Sequence, residues 1–169
     1  MSRNDNTIFS LILSGEIPSH KIYEDEFVYA FLDINPLSRG HTLVIPKEEC
    51  STMDLLSDKS ASSLGMALPK ICRAIKKITG AENYNIIQNN GEQAGQTVPH
   101  LHFHIIPRYP ESTHSFVWNP RPIDHSDASE LSKAILYELS KIENCRLAEP
   151  GEFTKIAFQN EKINLLKAE

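Results

Sequence analysis

Val98-Pro99-His100-Leu101-His102-Phe103-His104-Ile105-Ile106-Pro107 alternates three histidines with large apolar residues. Alternation of this kind is the pattern of a strand buried on one face. Successive side chains of a strand point to opposite faces, so His100, His102 and His104 are expected on one face and Leu101, Phe103 and Ile105 on the other. At a rise of about 3.3 Å per residue, adjacent histidines would stand roughly 7 Å apart. A lone strand histidine is ordinarily a hydrogen-bonded spectator. Three in register are costly to crowd when charged, because each titrates near neutrality. Two chemical readings follow: a metal site built on His-x-His, or nucleophilic and acid–base catalysis on a phosphorylated substrate.

The preceding loop bears on that choice. Asn89-Asn90-Gly91-Glu92-Gln93-Ala94-Gly95-Gln96-Thr97 holds two glycines, side-chain amides and a hydroxyl. Glycine lets backbone N–H groups approach an anion closely, and Asn, Gln and Thr add neutral donors. A metal site would want further Cys, Asp or Glu ligands, and the loop offers one carboxylate, Glu92. Its chemistry suits an oxyanion better than a cation.

The segment Asn89 to Pro107 resembles the active-site segment of the histidine triad superfamily, in which three alternating histidines follow a Gly-Gln-Ser/Thr turn. The likeness extends to Asn6-Thr7-Ile8-Phe9, Gly15-Glu16-Ile17-Pro18, Tyr23-Glu24-Asp25, Ala30 to Pro36 and Gly40 to Lys47, and so spans residues 6 to 108. The resemblance implies attack by the middle histidine, His102, on the α-phosphorus of a nucleotide. A covalent nucleotidyl-histidine divides one difficult displacement into two easier ones. It further implies that His104 contacts phosphate oxygens and that His100 orients His102 through its backbone carbonyl. His41 corresponds to a further site histidine. Asn89, Gly95, Gln96 and Thr97 correspond to the phosphate cradle, whose neutral donors stabilise developing charge. Asp33 corresponds to the residue that accepts from ribose hydroxyls. Ile8, Phe9, Ile12, Phe31 and Ile34 correspond to walls around the base, although ordinary core packing explains those five equally well.

One departure is informative. Some bacterial members hold zinc with a Cys-x-x-Cys pair, a histidine after Pro-Lys-x and the first triad histidine. Here Thr7 and Ser10 stand at the cysteine positions and Glu49 at the histidine position, leaving only His100. Thr and Ser are not normal zinc ligands, so no structural zinc is expected, and no cofactor is implied.

Composition sets outer limits. The chain has 169 residues, 40% of them hydrophobic, enough for one domain with a real core. The net charge of −5 argues against non-specific nucleic-acid binding. Cys50, Cys72 and Cys145 are odd in number and irregularly spaced, which suggests free thiols in a reducing compartment. The polar start and the short apolar run Ile8 to Leu13 do not read as a signal peptide, and no stretch reaches the length of a membrane span. Cytoplasm is the expected location, with no membrane partner.

The pattern predicts a helix over 7–14, strands over 20–23, 27–32, 41–45 and 84–89, and a helix over 58–79 capped by Asp58. Leu64, Leu68, Ile71, Ile75 and Ile78 form that helix's inward stripe, and Pro69 should kink or split it. With the histidine strand this makes an α+β fold, an antiparallel sheet of about five strands with a long helix across one face. Residues 1–110 are read as the histidine triad domain and 111–169 as a C-terminal helical extension packed on the same domain. The stretch from Arg108 to Asp124, with Pro110, Pro120 and Pro122, His114 and Trp118, is expected to be irregular. A helix is expected over 129–142, a strand near 153–158 and a short helix beyond.

The function expected from the resemblance is hydrolysis or transfer at the α-phosphate of phosphoramidates, aminoacyl-adenylates or dinucleoside polyphosphates, releasing a nucleoside monophosphate, most simply AMP from a purine nucleotide. Gln93 to Thr97 and Ile106 to Arg108 resemble the polyphosphate-cleaving branch, while the amino-terminal half resembles the phosphoramidase branch. A homodimer is likewise implied. Two other classes stay open: a nucleotide-binding regulatory module with little catalysis, and a metal-dependent enzyme using His100, His102 and His104 as ligands.

Overall fold

The computed structural model describes residues 7–112, 120, 122–143, 146, 149, 151, 152 and 155. The chain divides into two compact units, Met1–Ser115 and Phe116–Glu169. The first unit is built on helix α1 (Ile8–Ser14), strands β1 (Lys21–Glu24), β2 (Val28–Leu32) and β3 (Thr42–Pro46), helix α2 (Asp58–Thr79), and strands β4 (Asn83–Gln88) and β5 (Phe103–Arg108). The strands form one antiparallel sheet in the order β1-β2-β3-β5-β4. This is the α+β arrangement expected from the pattern.

Side-chain alternation divides the core between two faces. Val28, Ala30, Val44 and Ile105 meet Leu64, Ala67, Ile71, Cys72 and Ile75 of α2. Phe31, Leu43 and Ile45 point the other way, to Phe9 and Ile12 of α1. The sheet is therefore covered on both faces where α1 crosses it, and β3 is buried along its whole length. A strand buried on both faces reads as a continuous apolar run, as Thr42 to Pro46 nearly does.

Helix α2 departs from expectation in three respects. Its N-cap is Ser57, not Asp58: the Ser57 hydroxyl accepts from the Ser60 N–H, and the Glu48 carboxylate in turn accepts from the hydroxyls of Ser57 and Ser60. Pro69 does not split it, and α2 runs unbroken through the proline. Pro69 and Gly65, whose carbonyl loses its donor, both face solvent, where water can satisfy the oxygen. Ile78 is exposed, since Thr79 takes the inward place in the last turn. Gly40, at φ +88°, makes room there: a Cβ on it would lie 2.8 Å from Thr79 Cγ2.

The histidine segment also differs. Strand β5 begins only at Phe103, so His104 alone of the trio lies within a strand. Residues 98–100 bend instead. Leu101 is packed against α2, while His100 and His102 are buried beside Phe9, so the segment is enclosed on both sides. The alternation itself holds, with Leu101, Phe103 and Ile105 on the α2 side and His100, His102 and His104 on the other.

In the second unit α3 (His125–Leu139) starts four residues before the expected 129, because Asp124 caps it by accepting from the N–H groups of Ser126 and Asp127. His114, Trp118 and the expected strand near 153–158, apart from Lys155, lie outside the described residues. Among the described residues, no helix is long and apolar enough to cross a membrane.

Leu101 is fully buried at the junction of α2 and the histidine segment. Replacing it with alanine is expected to lower the unfolding free energy by about 2–5 kcal/mol. Equilibrium urea unfolding checks this, and a loss below about 1 kcal/mol would show that the junction is not packed as described.

Candidate active site

A cleft of about 320 Å³ opens between α1, the end of β2 and the histidine segment. Its apolar side is made by Ile8, Phe9, Ile12, Phe31 and Ile34, and its polar side by Asp33, Thr97, His102 and His104. Phe9, Ile12 and Phe31 are core residues as well, so the two explanations for these positions coincide. Ile17, Pro18, Ser19, Asn35, Leu43 and Val98 also border the cleft. Nothing in their spacing marked them, because loops bring all but Leu43 there, and Leu43 reaches it from β3.

The imidazole rings sit close together. The rings of His102 and His104 are 4.9 Å apart between centroids, and those of His41 and His104 are 5.2 Å apart. Antiparallel pairing of β3 with β5 sets Thr42 opposite Ile105 and Leu43 opposite His104, which delivers His41 to His104. The loop carrying Asp33 and His41 is tied to the end of β5 by the Ser38 hydroxyl, donating to the Pro107 carbonyl at 2.6 Å, and by the Tyr109 hydroxyl, donating to the Arg39 carbonyl at 2.8 Å.

Hydrogen bonds assign the ring protons. His102 Nδ1 lies 2.6 Å from the His100 carbonyl oxygen. A carbonyl can only accept, so Nδ1 carries the proton and Nε2 keeps its lone pair. His100 Nε2 donates to the Pro46 carbonyl at 3.0 Å. The Leu37 N–H donates to His41 Nδ1 at 3.1 Å, so the proton of a neutral His41 is on Nε2. That Nε2 is 2.9 Å from His104 Nδ1 and donates to it, which leaves His104 with its proton on Nε2.

Burial pushes the pKa of His41, His100 and His102 below the ordinary histidine value, and each ring is neutral at pH 7. Burial, reinforced by His102 and His41, takes His104 down to about 4. Asp33 Oδ2 lies 3.5 Å from His41 Nδ1, beyond a good hydrogen bond. Asp33 Oδ1 accepts from the Asn35 N–H.

The loop residues divide. Thr97 lines the cleft. Gln96 turns its side chain elsewhere: its Oε1 accepts from the Gly91 N–H at 2.7 Å and its Nε2 donates to the Ser51 carbonyl at 2.6 Å. Asn89 reaches the Gly95 carbonyl over 3.4 Å and does not border the cleft. Asn89 and Gln96 therefore brace the turn in this structure.

Among the described residues, the three triad histidines are not a group whose ligand atoms converge. Among the described residues, the group whose ligand atoms converge is Asp33, His41 and His104, within 4.8 Å of one another. The donor set at the zinc positions of some relatives does not fit that ion. Thr7 and Ser10 hydrogen-bond to each other at 3.0 Å while Thr7 caps α1, and His100 Nε2 is held by Pro46.

Comparison with known proteins accords with this geometry. The HIT domain model matches residues 14–111, and the chain belongs to the HIT family. It is 43% identical over 139 residues to Protein hit of Bacillus subtilis (strain 168), covering 80% of this chain and 96% of that one. It is 44% identical over 129 residues to the adenosine 5′-monophosphoramidase hnt1 of Schizosaccharomyces pombe, covering 76% and 94% of the two chains. The crystal structure of a HIT family member from Bacillus subtilis superposes with a TM-score of 0.75 at 41% identity, covering 86% of this chain and 99% of that one.

The depressed histidine values have a consequence for stability. Between the ordinary value of 6.5 and about 4, the unfolded chain binds a proton at His104 that the folded chain excludes. Stability from this ring is thus fully present above 6.5 and is lost as pH falls through that window. The urea midpoint is expected to drop progressively from pH 7 to pH 4.5, and the drop should shrink in His104→Asn. An equal drop in both proteins would remove His104 as its source.

Proposed function

We propose that the protein cleaves nucleotide conjugates at the α-phosphate through a nucleotidyl-His102 intermediate and releases a nucleoside monophosphate. The observation that carries this is the His102 ring. Its Nδ1 is committed to a carbonyl, its pKa is depressed, and it borders a cleft with an apolar wall and an acidic residue at its rim. A neutral imidazole with one free lone pair is a competent nucleophile at neutral pH.

In the first step His102 Nε2 bonds to phosphorus, the bond from phosphorus to the leaving group breaks, and the leaving group takes a proton from solvent, while the His104 Nε2–H donates a hydrogen bond to a phosphate oxygen. In the second step water attacks phosphorus, releases its proton to solvent and expels His102. His41 acts through His104, holding its Nδ1 so that the proton stays on Nε2. The Thr97 hydroxyl stabilises the charge that builds on the phosphate oxygens. Asp33 receives the ribose hydroxyls, and Phe9, Ile12 and Phe31 hold the base, with adenine as the simplest fit. The monophosphoramidase name of the Schizosaccharomyces pombe relative favours nitrogen-linked substrates.

The active form is read as a homodimer joined through β4. That strand is an edge of the sheet, and Tyr84 and Ile86 on it are exposed.

With adenosine 5′-phosphoramidate as substrate, His102→Ala is expected to lower kcat/KM for AMP release by roughly 1,000-fold or more. Mass spectrometry of wild-type protein quenched during turnover should find adenylate on His102. Retention of wild-type activity in the variant would remove His102 from the mechanism.

Light scattering on a size-exclusion column should give twice the chain mass for the wild type and a lower mass for Ile86→Asp. A wild-type monomer at working concentration would rule out the dimer.

A further inference from the structure

The turn Gly95 to Thr97 borders a second cleft of about 560 Å³, lined also by Ser51, Thr52 and Glu92. Thr97 lines both clefts, so the two adjoin at the phosphate-binding turn. Their chemistry differs. The first is largely apolar and ends at the histidines, whereas the second presents the hydroxyls of Ser51, Thr52 and Thr97 and one carboxylate, Glu92. Among the described residues the Glu92 side chain has no hydrogen bond or ion pair, and neither cleft is lined by a lysine or arginine.

A phosphorus centre at the turn has three directions to fill. The nucleoside takes the apolar cleft and His102 takes the attacking side. The leaving group departs roughly in line with the attack, away from the nucleophile. The cleft that adjoins across Thr97 borders the turn at which that phosphorus would sit. A polyphosphate leaving group carries several negative charges and would meet a carboxylate there with no cation to offset them. An amine that carries a positive charge would meet the same carboxylate favourably.

We propose, resting on the hydrolase reading above, that the cleft lined by Ser51, Thr52, Glu92 and Thr97 is the leaving-group subsite, and that Glu92 makes it select cationic amine leaving groups over polyphosphates. Ser51 and Thr52 complete the subsite from the far end of the β3–α2 connection, and the brace from Gln96 to the Ser51 carbonyl holds its two walls together.

The test uses three substrates with the same adenylate half: the hexyl phosphoramidate, the 6-aminohexyl phosphoramidate, which adds one remote positive charge, and diadenosine tetraphosphate. Ratios of kcat/KM are compared within each protein, so that a general loss of activity or folding cancels. In wild type at low salt, the aminohexyl substrate should be preferred over the hexyl one. Glu92→Gln should reduce that ratio about two- to five-fold and Glu92→Lys about tenfold, and both effects should shrink at high salt. Glu92→Lys should also raise diadenosine tetraphosphate relative to the aminohexyl substrate. Unchanged ratios in both variants, with AMP release still dependent on His102, would overturn the subsite and leave the hydrolase reading intact. Turnover that is absent, or indifferent to His102→Ala, would overturn both.

Discussion

The hydrogen bond from His102 Nδ1 to the His100 carbonyl constrains everything around the site. It follows a bend at residues 98–100, just before β5 begins. Burial of Leu101 in the core holds that bend from one side, and Phe9 packs its edge against His100 and His102 from the other. The ring is therefore fixed in position and in tautomer by the same packing that stabilises the fold. A ring held this way would need no reorganisation to act as the proposed nucleophile, which is the usual source of preorganised catalytic geometry.

The electrostatics follow from the burial. Four imidazoles lie within or beside one small cleft, and all four are held below their ordinary pKa. Charged rings at these separations would repel one another in a medium that screens poorly, so the neutral state also relieves the crowding. The result is a chain of directed protons, from the Leu37 N–H to His41, from His41 to His104 and from His104 toward the cleft. Among the described residues that line the cleft, an anion would meet donors and no fixed cation. Its negative charge would raise the pKa of the rings it touches.

Sheet topology assembles the parts. The order β1-β2-β3-β5-β4 puts β3 beside β5, so that a histidine just before one strand meets a histidine within the other, 63 residues apart in sequence. The connections do the rest: the loop after β2 supplies Asp33, and the loop after β4 supplies Thr97 and Glu92. The candidate site is thus carried largely on loops positioned by the sheet.

Much of this was legible in the chain itself. Apolar periodicity marks α2, alternation marks β2, and the histidine spacing with its glycine turn marks the chemistry, because each is a local consequence of backbone geometry and residue type. Local pattern misled where neighbours decide. His100 and His102 alternate as in a strand yet lie just before one, since the chain bends at 98–100 and β5 begins only at Phe103. Pro69 breaks no helix because its unpaired carbonyl faces water, and Ser57 takes the cap ahead of Asp58 because Glu48 binds its hydroxyl. The sequence alone determined which chemical groups are available and their approximate order along the chain. Only the tertiary structure decided the ring tautomers, the depressed proton affinities and the adjoining clefts, because these depend on burial and on contacts between segments far apart in the chain.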